Sequence, residues 1–166
     1  MSLLSIQNLS LSIHGAKILN DISLDVDAGQ IVAVTGESGS GKSMTAFSVM
    51  QLLPEGSEVV GKIGLSGRNL LGVSEKDMCA IRGNNIGMVF QEPMTALNPV
   101  KTIGDQVAET ILIHTDASRA EALRRAREVL DRVGLNAEQF PLTRFPHELS
   151  GGQRQRVVIA MAVALR

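Results

Sequence analysis

The sequence predicts an α/β fold built on a parallel sheet, and three observations carry that expectation. IVAV at residues 31–34 is a short, wholly apolar run. IGMVFQ at residues 86–91 is a second run of the same kind, ended by a glutamine. Runs of this length between turn residues suit strands buried on both faces of a sheet. After each of them the periodicity changes to that of helices, and buried strands alternating with helices are the pattern of a parallel α/β core.

The 166 residues are 44% hydrophobic, which gives one domain a real core. A net charge of −1 leaves no basic excess for a phosphate backbone, so no nucleic-acid partner is expected. Cys79 is the single cysteine, so no internal disulfide can form. The opening MSLLSIQNLS has neither the basic nor the apolar segment of a signal peptide. No apolar run approaches the ~20 residues of a membrane-spanning helix, so a membrane role must come through a partner. Trp and Tyr are absent and Phe numbers four, which makes aromatic stacking scarce.

In chain order, Leu9, Leu11 and Ile13, then Ile22, Leu24 and Val26, keep the two-residue period of half-buried strands. GAK, ND and DAG mark turns between them. After residues 31–34 comes a glycine-rich loop, then a helix from about Lys42 to Leu53, stopped by Pro54. GKIGLSGRNLL returns to strand, and SEKDMCAIR reads as a short helix with Ser74 as its N-cap. EPMTALNP is a loop held by two prolines. From Val100 to about Gly134 the pattern is helical. Ser118 and Glu121 fit a capping box, with Asp116 as the competing cap. Ala120, Leu123, Val129, Leu130 and Val133 form its apolar stripe. The pairs Glu121/Arg125, Arg124/Glu128 and Glu128/Arg132 lie on a solvated face. Gly134 suits the position just past the helix end.

Two motifs carry chemistry. Gly36-Glu37-Ser38-Gly39-Ser40-Gly41-Lys42-Ser43 fits G-x4-G-K-[ST], the phosphate-binding P-loop, between an expected strand and an expected helix. Its glycines let the backbone wrap a polyphosphate, the helix N-terminus adds positive potential, Lys42 reaches the terminal phosphates and Ser43 offers a hydroxyl to Mg²⁺. The second motif is Leu149-Ser150-Gly151-Gly152-Gln153. Ser150 and Gln153 make an S-x-x-Q capping box, yet two glycines weaken the first helical turn, each by up to about 1 kcal/mol against alanine. They make sense where an anion must approach the helix amides closely. Gln91, at the carboxyl edge of its expected strand, can reach a metal or a water there.

A P-loop, then a glutamine after a strand, then LSGGQ, resembles the ATP-binding cassette of ABC transporters, in order and over essentially the whole chain. GESGSGKS, FQEPMTALNP and PHELSGGQRQRVVIAMA are similar to the ATPase subunits of dipeptide, oligopeptide and nickel importers. The resemblance implies a P-loop NTPase core with an N-terminal antiparallel β subdomain and an inserted α-helical subdomain. The divisions are 1–92, 93–149 and a signature segment at 150–166. It implies ATP and Mg²⁺ as ligands: Gly36 to Ser43 on the phosphates, Ser43 and Gln91 attending the metal. Ser150, Gly151, Gly152 and Gln153 then face the nucleotide of a second ATPase subunit in a head-to-tail dimer. Transmembrane permease subunits are implied as partners, met by the loop after Gln91, with an extracytoplasmic solute-binding protein acting indirectly. The place implied is peripheral, on the cytoplasmic face of the inner membrane. The family stacks adenine near the first hairpin, where the aligned residue here is Ile13 or His14.

The family continues past LSGGQ with a strand ending in Asp (Walker B), a catalytic Glu and a switch His. The chain is expected to be truncated before that strand, so no catalytic residue is assigned within it. Asp25 and Asp27 precede the P-loop, and His114 and His147 belong to the helical insert, so none takes those roles by spacing. Nucleotide binding without turnover is expected of these 166 residues, and coupled ATP hydrolysis and peptide uptake of the complete protein. The alternatives are a soluble ABC ATPase of DNA repair or translation, and a nucleotide-binding module that never hydrolyses.

Overall fold

A computed structural model describes residues 2–90 and 96–166. The chain forms two compact units, 1–78 and 79–166.

The first unit is a four-stranded antiparallel sheet in the order β2-β1-β3-β4. Its strands are β1 (Leu4–Ile13), β2 (Ala16–Val26), β3 (Ser57–Leu65) and β4 (Arg68–Asn69). His14 and Gly15 both have positive φ, which gives the tight turn whose twist matches the β1–β2 hairpin. Leu9 and Leu11 are fully buried and Ile22, Leu24 and Val26 are half-buried, so the two-residue period holds. The ND dipeptide is no turn: β2 runs through it, and Asp21 (φ 55°) forms a bulge beside Asn8 (φ 50°). Asn8 Nδ2 donates to Asp21 Oδ1 at 2.8 Å. Gly61 lies opposite on β3, where a Cβ would come within 2.6 Å of the Asn8 carbonyl oxygen. The bulge shifts the register of β1 between Ile6 and Leu9 and keeps both side chains in the core.

Helix α1 (Lys42–Met50) packs on this sheet and ends three residues earlier than the sequence suggests. Gln51 adopts the left-handed conformation, and its N–H returns to the Phe47 and Ser48 carbonyls. Helix α2 (Glu75–Ile81) begins where expected, with Ser74 Oγ accepting from the Asp77 N–H at 3.2 Å.

Neither expected parallel strand is formed. Residues 31–37 and 87–90 lie outside every strand, and Ile86 makes only an isolated bridge to Arg82. Ile31 is 96% exposed and Val34 55%. A strand of a parallel core is held by neighbours on both edges and by helices on both faces. Among the described residues no strand pairs with either run. Gln91 lies outside the described residues.

The second unit is helical. Its helices α3 (Ile103–His114), α4 (Arg119–Arg132) and α5 (Gly151–Val163) enclose a core that includes Ile103, Val107, Ile111, Leu130, Leu135 and Val157. Thr102 caps α3, and Ser118 rather than Asp116 caps α4, accepting from the Glu121 N–H at 3.3 Å. The apolar stripe of α4 is partly corrected. Val129 and Leu130 are buried as expected, but Ala122 and Ala126 are buried while Ala120 is exposed. Gly134 (φ 79°) closes α4: its N–H meets the Asp131 carbonyl and the Leu135 N–H meets Leu130, both at 2.9 Å. On the solvated face Arg124 bridges Glu121 and Glu128, so Glu121 pairs with Arg124 and not with Arg125. Arg132 instead donates to the Arg166 carbonyl at 3.0 Å. No helix among the described residues is long and apolar enough to cross a membrane.

Candidate functional site: a P-loop and a capped signature helix

The P-loop is shaped by two neighbours, the chain leading out of residues 31–35 and the buried side of β2. Gly41 is buried and has φ 91°; a Cβ there would lie 2.5 Å from Leu19 Cδ2 and 3.5 Å from the Ile18 carbonyl oxygen. Only glycine combines that backbone conformation with that approach. Leu19 thereby sets how closely the loop settles on the sheet before α1 begins.

Lys42 folds back over the loop. Its ammonium donates to the carbonyls of Gly36 (2.9 Å) and Glu37 (2.7 Å) and, at 3.4 Å, to Ser40 Oγ. The Ser40 N–H closes the turn on the Glu37 carbonyl at 3.3 Å. The structure thus gathers Gly36, Glu37, Ser40, Gly41 and Lys42 around one small loop. Ser38, Gly39 (φ 83°) and Ser43 are exposed on it.

The start of α1 differs from that of the longer helices. Thr102, Ser118 and Ser150 each accept a hydrogen bond from the first turn of α3, α4 and α5, whereas no side chain caps α1, whose N-cap is Gly41. The opening N–H groups of a helix have no intrahelical acceptor, and together they carry a partial positive charge. An uncapped helix start, a left-handed glycine turn and an ammonium over the loop are the features that suit an anion. These residues fit a nucleoside polyphosphate, and the exposed Ser43 hydroxyl in the first turn of α1 fits a magnesium ligand.

The second motif forms a cluster of its own in the helical unit. Ser150 Oγ accepts from the Gln153 N–H at 3.3 Å, and the Ser150 N–H donates to Gln153 Oε1 at 2.8 Å. The expected capping box is therefore present. Ser150, Gly151 and Gly152 are exposed, and a Cβ on Gly152 would meet nothing within 4 Å. Among the described residues nothing requires that glycine.

Sequence reasoning missed two arginines that anchor this helix. Arg154 Nε donates to the carbonyls of Pro146 (2.8 Å) and Leu149 (3.1 Å), tying down the segment that delivers Ser150. Arg156 Nη1 reaches the Val133 and Gly134 carbonyls, each at 3.4 Å, at the end of α4. Their only signal was position, one and two turns into a helix that follows a loop. His14, one of the two aligned adenine positions, lies against Gly56, where a Cβ would come within 2.5 Å of its ring.

The ABC transporter family profile matches residues 19–166. The chain belongs to the ABC transporter family. As an ABC sequence it is 48% identical over 170 residues to the peptidoglycan transport ATP-binding protein YejF of Agrobacterium fabrum, across 99% of this chain and 31% of that protein. It is 53% identical over 144 residues to the oligopeptide transport ATP-binding protein OppD of Mycobacterium tuberculosis, across 86% of this chain and 24% of that one. It is 45% identical over 168 residues to the probable peptide ABC transporter ATP-binding protein y4tR of Sinorhizobium fredii, across 98% and 50%. The chain spans half or less of the length of these relatives. Its fold is similar to the ATP-binding cassette MJ0796 in a dimeric post-hydrolysis state bound to ADP and Pi. The TM-score there is 0.84 at 28% identity, covering 98% of this ABC chain and 69% of that one.

Proposed function

We propose that this chain is the nucleotide-binding part of an ABC importer ATPase subunit, in which ATP binding and hydrolysis drive uptake of peptides or similar small solutes. The observation that carries the reading is the pairing, in one chain, of an uncapped P-loop helix with a capped helix whose Gly152 faces open space. The first end is built to receive phosphates from solution. The second is built to be approached by something outside the chain. A head-to-tail pair of such subunits satisfies both, since each triphosphate then lies between one subunit's loop and the other's LSGGQ.

In this reading Gly36, Glu37, Ser38, Gly39, Ser40, Gly41 and Lys42 hold the phosphates with backbone N–H groups and one ammonium. Ser43 and Gln91 are the protein's ligands to Mg²⁺, which when bound neutralises charge on the phosphate oxygens. Lys42 exchanges its bonds to the Gly36 and Glu37 carbonyls for phosphate oxygens. Ser150, Gly151, Gly152 and Gln153 present the α5 amides to the partner's nucleotide. The division at 1–92, 93–149 and 150–166 belongs to the same proposal, as do permease subunits reached through the loop after Gln91. A peripheral position on the cytoplasmic face of the inner membrane follows from those partners, with the solute-binding protein acting on the far side. The relatives named for peptide and oligopeptide transport support the solute class.

The test is titration of the 166-residue chain with Mg·ATP, followed by NMR. Amide signals of Gly39 to Ser43 should shift saturably, and Lys42→Ala should remove the shifts. Signals unmoved at millimolar ligand would falsify the reading.

A further inference from the structure

Gln106 is buried, 3% exposed, and no step described above uses it. A buried amide persists where its hydrogen bonds are made, and here they all go to one short loop. Gln106 Oε1 accepts from the Asn98 N–H at 2.8 Å, and Nε2 donates to the carbonyls of Asn98 (3.1 Å) and Lys101 (3.0 Å). The side chain thereby locks residues 98–101, which run from the loop after Gln91 into α3, onto the start of that helix.

The same helix start holds a second segment, the one that leads to LSGGQ. Thr102 Oγ1 accepts from the Asp105 N–H at 3.2 Å, and the two amides before it turn to that segment. The Ile103 N–H donates to the Arg144 carbonyl at 2.8 Å and the Gly104 N–H to the Leu142 carbonyl at 3.0 Å. These are donors a helix start cannot satisfy within itself, and they carry its positive end. Gly104 makes the approach possible. It is buried, and a Cβ there would lie 2.6 Å from Leu142 Cβ and 2.9 Å from the Leu142 carbonyl oxygen. From Arg144 the path to the signature is short: Arg154 Nε donates to the carbonyls of Pro146 and Leu149, and Ser150 follows. One run of hydrogen bonds within the helical unit thus joins residues 98–101 to the start of α5.

We infer that Gly104 and Gln106 are positioning residues for the LSGGQ end. Gly104 sets where residues 142–149 deliver the Ser150–Gly152 amides, and Gln106 ties that placement to the loop after Gln91. Both are buried, so they act through the main chain they hold. The inference rests on the head-to-tail reading above and adds to it the residues that fix where one subunit meets the other's nucleotide. A displacement of residues 98–101 then reaches the signature through main-chain bonds, with no side chain of the P-loop involved.

The test uses the full-length subunit, unpaired for Mg·ATP affinity and in its native assembly for turnover. Gly104→Ala presses a methyl on the Leu142 main chain, which must shift. Its kcat should fall about 10- to 100-fold, since a misplacement on the order of 1 Å away from the chemistry costs about 100-fold. Mg·ATP affinity of the unpaired subunit, a property of the P-loop, should be unchanged. Gln106→Met keeps the volume and loses all three hydrogen bonds, so it should lower kcat with the same unchanged affinity; it decides alone if Gly104→Ala does not assemble. Ile111→Val, which trims the same helix in the core, is the control for a merely structural effect and should keep its kcat. Normal turnover in the positioning variants overturns the inference. So does an affinity that falls in step with kcat, or an equal loss of kcat in Ile111→Val. A wild-type subunit that binds no Mg·ATP, or does not pair in its presence, defeats the head-to-tail reading and this inference with it. Binding and pairing in the wild type, with full kcat in Gly104→Ala and Gln106→Met, counts against the positioning role alone.

Discussion

Two adjacent residues of the P-loop have opposite duties. Gly41 must stay small and left-handed, because Leu19 and the Ile18 carbonyl occupy the space a Cβ would need. Gly41→Ala should therefore cost about 1–3 kcal/mol, read as a fall in the urea midpoint. Lys42 costs the free fold little, since its bonds to Gly36 and Glu37 are exposed. Lys42→Ala should leave the midpoint nearly unchanged but weaken Mg·ATP binding about 10- to 100-fold, the worth of charged hydrogen bonds to phosphate. A large loss of stability in Lys42→Ala with retained affinity would reverse these assignments. On the solvated face of α4, the hydrogen bond from Arg124 holds the Glu121 carboxyl below its ordinary value of 4.5, with Coulombic help from Arg124 and Arg125. The lowered pKa means the folded state binds that proton less readily than the unfolded chain. Its stabilising effect is full above pH 4.5 and is lost as pH falls through the folded value. In Arg124→Ala the Glu121 titration, followed by carboxyl NMR, should move upward.

At the scale of elements, α5 joins two demands that pull against each other. A helix start with two glycines is weak; Ser150 and Gln153 cap it, and Arg154 ties down the segment that leads into it. Gly152→Ala adds a Cβ into open space, so it should stabilise the isolated chain by up to about 1 kcal/mol. In the proposed head-to-tail pair the same methyl would lie where the partner's nucleotide approaches, so it should weaken ATP-dependent pairing of subunits in analytical ultracentrifugation. Both effects falling in the same direction would mean that the open face is not an approach surface. The cap was legible in the sequence because S-x-x-Q acts within four residues. So were the caps at Ser74 and Ser118 and the close of α4 at Gly134, for the same reason. The arginine grips were not legible, because each depends on which carbonyls a loop brings alongside the helix. Nor was the bulge at Asn8 and Asp21: a polar pair between apolar residues reads as a turn until three strands are laid side by side. The early end of α1 at Gln51 was hidden because Gln rarely adopts the left-handed conformation.

For the whole molecule, the runs at 31–34 and 86–90 report what a fold needs beyond its local pattern. Their composition is that of core strands, and the sequence reading took them so. Yet a parallel strand acquires its hydrogen bonds and its cover from segments distant in the chain, and periodicity says nothing about whether those are present. Among the described residues the run at 31–34 is unpaired. Ile31, Val32 and Val34 are exposed, and residues 32–35 border an open pocket of about 420 Å³ shared with Ile22 and Leu24 of β2. Short, uncharged β-prone segments with free backbone groups are templates for association between chains. The 166-residue polypeptide should therefore self-associate with increasing concentration, and the contacts should run through this segment. Ile31→Lys places a charge at its most exposed position, 96% accessible, and removes no buried contact. Light scattering should show the substituted chain staying monomeric at concentrations where the parent aggregates, while its urea midpoint is unchanged. Val60, also exposed at 69% but on a strand already paired to β1, provides the control. If Val60→Lys suppresses association as strongly as Ile31→Lys, general surface apolarity is the cause and the unpaired strand is not.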